Sequence, residues 1–64
     1  MKSRYGIGKT INYNLWPDRG YVGGVIRQLE AKMKEEYPDA NLSLNYGRDG
    51  VDYYVLVIGE VLNG

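Results

Sequence analysis

Between Tyr5 and Leu15 the apolar residues Tyr5, Ile7, Ile11, Tyr13 and Leu15 fall on odd positions, with Lys9 the exception. Gly6, Gly8, Thr10, Asn12 and Asn14 hold the even ones. Alternation over this length predicts a half-buried strand. Trp16-Pro17-Asp18 ends it, because proline cannot donate to a ladder. The period then changes. Val22, Val25, Ile26, Leu29 and Met33 form a stripe at helical spacing, with Tyr37 near its edge. Asp18 is suited to cap this helix and Pro38 to stop it. Leu42, Leu44 and Tyr46 alternate with Asn41, Ser43 and Asn45, which predicts a second strand. Gly47-Arg48-Asp49-Gly50 reads as a turn. Val51 to Ile58 reads as a third strand, apolar on both faces, before Gly59 and a short tail.

The expected fold is a small α+β domain with order β-α-β-β. It spans 1–64, with a strand at about 5–15, a helix at about 19–37 and a hairpin at about 41–58. A strand that is apolar on both sides belongs in the middle of the sheet. A lone helix can cover only one face. The odd positions of the first strand, together with Leu42, Leu44 and Tyr46, are expected to meet the helical stripe. The row Tyr53, Val55 and Val57 is then expected to look outward, rimmed by Thr10, Asn12, Asn14, Asn41, Ser43 and Asn45. An apolar centre with a neutral polar rim has the composition of an interface. The expected dimer or partner face is therefore Tyr53, Val55 and Val57 with Asn12, Asn14 and Asn45.

Composition narrows the chemistry. The 64 residues carry 8 Lys+Arg against 8 Asp+Glu, so the net charge is zero and no basic field favours nucleic acid. There is no Cys and no His, which removes disulfides, thiolate zinc sites and imidazole catalysis. No apolar run approaches the roughly 20 residues of a membrane span, and the basic start lacks the apolar core of a signal peptide. A cytoplasmic protein without cofactor or metal is expected. A domain this small usually needs a disulfide, a metal or a partner subunit, and composition leaves the partner.

The remaining motifs are weak. Gly8-Lys9-Thr10 ends like a phosphate-binding loop, but Ser3 stands where the leading glycine belongs, and a strand follows instead of a helix. Arg19, Gly20, Gly23 and Gly24 at the helix start form a candidate anion site. Gly24 and Ala31 would permit close helix contact. Tyr13, Tyr46 and Tyr53 offer stacking surfaces for a nucleotide or single-stranded nucleic acid, which is the alternative function. Asp49, Asp52, Glu60 and Lys9 are titratable, but no catalytic residue is assigned among them.

In outline this architecture is similar to several small dimeric β-α-β-β proteins, including phage-encoded inhibitors of host enzymes. That likeness agrees with the reading of the residues: a non-enzymatic interaction protein, expected to be a homodimer, that binds and modulates or inhibits a larger protein, with a viral or mobile-element origin expected from its size.

Overall fold

The computed structural model describes residues 1–62. It is an α+β fold with β1 (Lys2–Ile11), α1 (Arg19–Glu36), β2 (Asn41–Asp49) and β3 (Asp52–Leu62). The sheet order is β1-β3-β2 and both pairings are antiparallel, so the doubly apolar strand is central, as its composition predicts.

The sheet is longer at one end than the sequence pattern indicates and shorter at the other. The expected tail at 60–62 continues β3, because residues 2–4 extend β1 beside it and pair with it. Lys2 and Arg4 also reach the Glu60 carboxylate, at 3.2 and 3.8 Å. At the far end β1 stops at Ile11, not Leu15. Asn12 accepts the N–H of Asn14 on its own side-chain oxygen (2.9 Å), and its carbonyl accepts from Leu15 and Trp16. This side-chain turn diverts the alternating pattern out of the sheet.

α1 begins at its aspartate cap, where Asp18 Oδ1 accepts the Tyr21 N–H at 3.1 Å. It ends where the Tyr37 N–H reaches the Met33 carbonyl at 2.8 Å, just before Pro38. Its stripe packs on β1 and β3 and scarcely reaches β2. Ile11, Val25, Leu29, Met33, Val55 and Val57 make up the buried cluster. Gly59 does not break β3. It leaves room for Met33, whose Sδ would lie 2.8 Å from an added Cβ.

The expected orientation of the central strand is reversed. Val55 and Val57, expected on the open face, are 0% and 1% exposed in the core beneath α1. Tyr53 lies on the same side. The cause is register. Asp49 pairs with Asp52 around the two-residue loop Gly50-Val51, so Leu44 falls opposite Val57 and Tyr46 opposite Val55. Paired residues share a face, so the row beside the core-facing residues of β2 must itself face the helix.

Candidate interaction surface

The opposite face of the sheet has no helix above it. Its centre is the β3 row Tyr54, Leu56 and Ile58, each half-buried by its neighbours. Ile58 lies between Gly6 and Ser43, Leu56 between Gly8 and Asn45, and Tyr54 between Thr10 and Gly47. Three of these six flanking positions are glycine, and the large side chains spread across them. A Cβ on Gly8 would sit 3.3 Å from Leu56 Cδ1, and one on Gly6 would sit 3.4 Å from it. A Cβ on Gly47 would clash with the hydroxyl end of the Tyr54 ring. Large residues lying over strand glycines recover some of the packing that glycine forfeits. They also keep the surface low, since the flanking strands raise little above it.

The two ends of this face differ in charge. Lys2, Arg4 and Glu60 stand at one end, two cations sharing one carboxylate. Asp49 and Asp52 stand at the other. The Asp49 carboxylate leans across the sheet to the Thr10 hydroxyl, which donates to it at 3.4 Å. Asp52 Oδ1 accepts the Tyr13 N–H at 3.1 Å.

A second apolar surface lies on the helix side, where α1 does not reach across β2. Leu44 is 36% exposed and Tyr46 57%. Trp16 folds back from the β1–α1 turn to stack on Tyr53 (centroids 4.5 Å apart) and to meet Tyr46 edge-on at 5.9 Å. The Arg48 guanidinium lies 5.0 Å from the Tyr53 centroid. Elsewhere a groove of about 720 Å³ runs between the start of β1 and the end of α1. The stacked rings of Tyr5 and Tyr37, 4.1 Å apart, lie at it. Desolvation, reinforced by Tyr5 and Glu36, raises the Tyr37 hydroxyl above the usual tyrosine range.

The expected site residues are therefore dispersed. Asn45 and Thr10 are on the open face. Asn12 and Asn14 belong to the turn after β1 and do not rim the central row; Asn12 closes that turn with its own amide. Tyr53 stacks beneath Trp16, Tyr46 is on the β2 shelf and Tyr13 is in the turn, so the three tyrosines form no common stacking platform on the open face. At the helix start the Asp18 carboxylate occupies the position an anion would take beside Arg19, Gly20, Gly23 and Gly24. A Cβ on Gly23 or Gly24 would meet nothing within 4 Å. The Gly-Lys-Thr run lies within β1. Among the described residues no group of three or more acidic side chains is placed to hold a metal ion. No helix there is long and apolar enough to cross a membrane.

Sequence reasoning missed Tyr54, Leu56 and Ile58, which it had turned toward the helix. The signal lies in the β2–β3 loop, whose even length sets the register. No protein family, curated protein or solved structure matches this chain at a significant level.

Proposed function

We propose that this chain is a non-enzymatic interaction protein that acts in the cytoplasm by occupying the surface of a larger protein and modulating it. The observation that carries this reading is that one helix leaves apolar residues uncovered on both sides of the sheet. Tyr54, Leu56 and Ile58 lie on the open face, and Leu44 and Tyr46 on the β2 shelf. Completing the burial of three half-covered side chains returns roughly 3 kcal/mol, a large share of the stability of a small domain.

The test is affinity capture with the wild-type chain, Leu56→Asp and Tyr46→Asp in parallel, with circular dichroism confirming that each is folded. The reading predicts that wild type retains a defined protein and that at least one variant loses it. Identical capture by all three would count against it.

A further inference from the structure

We propose that the open face is covered by the same face of a second copy of this chain, with the strands of the two copies running in opposite senses. This rests on reading the chain as an interaction protein and names what lies on one of its surfaces. Closed two-fold dimers are the commonest protein assembly. A two-fold axis between stacked sheets can lie along the strands or across them. An axis along the strands would set the end of each copy that holds Lys2 and Arg4 over the same end of the other, and the end that holds Asp49 and Asp52 over its counterpart. An axis across the strands sets the cationic end of each copy over the acidic end of the other and brings Leu56 and Ile58 together near the axis. The charges therefore select the second arrangement. The lean of Asp49 toward Thr10 carries its carboxylate toward β1, the strand that holds Lys2.

The available area sets the strength. Three strands spaced about 4.8 Å apart and about 33 Å long present roughly 450 Å² per copy. That falls below the roughly 800 Å² per partner of a standard interface, so the dimer is weak and depends on concentration. The low relief produced by Gly6, Gly8 and Gly47 permits two such faces to approach across their whole length. The β2 shelf stays outward on both copies, available to a larger partner.

The experiment is light scattering and sedimentation from low micromolar to millimolar concentration. Wild type should pass from 7.3 kDa to twice that mass. Leu56→Asp should stay monomeric, because the two carboxylates would meet near the axis. Leu56→Thr, a gentler change, should weaken the dimer. Lys2→Glu and Asp49→Lys should each weaken it about tenfold, since each pair occurs twice. The double variant should recover most of that loss. A wild-type chain that stays at monomer mass throughout would overturn the second copy as occupant, while the interaction reading would still stand or fall on capture. A dimer indifferent to Leu56→Asp would place the contact elsewhere, and a double variant no better than the singles would refute the reversed orientation.

Discussion

At Gly59 an added methyl group would fall 2.8 Å from Met33 Sδ and 3.3 Å from the Ala40 Cβ, both in the core. Gly59→Ala is expected to cost about 1–3 kcal/mol, because a packed core must shift its helix or bend a side chain. Gly24 sits in α1 with nothing within 4 Å of its would-be Cβ. Gly24→Ala should therefore stabilise by up to about 1 kcal/mol through helix propensity alone, raising the melting temperature by about 4–8 °C in a domain of this size. Paired thermal melts check both signs. A loss of stability in Gly24→Ala at high concentration would show that the helix face is occupied by a partner. Tyr37 adds a pH dependence. Its hydroxyl is raised above the ordinary value of 10.0, chiefly by desolvation, so the folded state holds that proton more tightly than the unfolded chain does. This contribution is complete below pH 10 and is lost as pH rises through the raised value. In an ultraviolet titration Tyr37→Phe should remove a phenol that ionises above the ordinary tyrosine range.

Among the elements, the β2–β3 hairpin fixes which side chains the core receives. Gly50 has φ 64° and Val51 has a negative φ, the pattern of a type II′ turn. Gly50→Ala is expected to cost about 1–2 kcal/mol, since alanine resists that backbone region. A lowered urea midpoint with an unchanged slope would confirm it. The existence and order of all four elements were legible, because period-two and period-3.6 runs were separated by Pro17 and Pro38. The central position of β3 was legible from its two apolar faces. Its orientation was legible too, but in the loop and not in the strand. The four-residue turn Gly47–Gly50 and the observed two-residue loop Gly50-Val51 both hold an even number of residues. Either one pairs even positions of β2 with odd positions of β3. Once Leu42, Leu44 and Tyr46 are assigned to the core, Val55 and Val57 must follow them. Composition hid this, since Val-Val and Leu-Ile rows are equally apolar. The Asn12 turn was not legible, because Tyr13 and Leu15 continue the odd-position pattern after the backbone has left the sheet.

In the whole molecule, one 18-residue helix is laid over two strands of a three-stranded sheet. The Cα envelope measures 43 × 21 × 12 Å, a slab too thin to enclose its apolar residues on both sides. The single-layer cover explains why a chain with a small buried cluster still carries a second apolar row. On the open face the charged residues Lys2, Arg4, Glu60, Asp49 and Asp52 stand at the strand ends and leave its centre free. The account depends on the two rows of β3 having opposite fates. Urea denaturation of Val55→Asp and Leu56→Asp at low micromolar concentration, followed by circular dichroism, measures this directly. Val55→Asp should be unfolded in water, because an unpaired carboxylate beneath α1 has no compensation. Leu56→Asp should unfold cooperatively within about 1–2 kcal/mol of wild type. A folded Val55→Asp beside an unfolded Leu56→Asp would contradict the account.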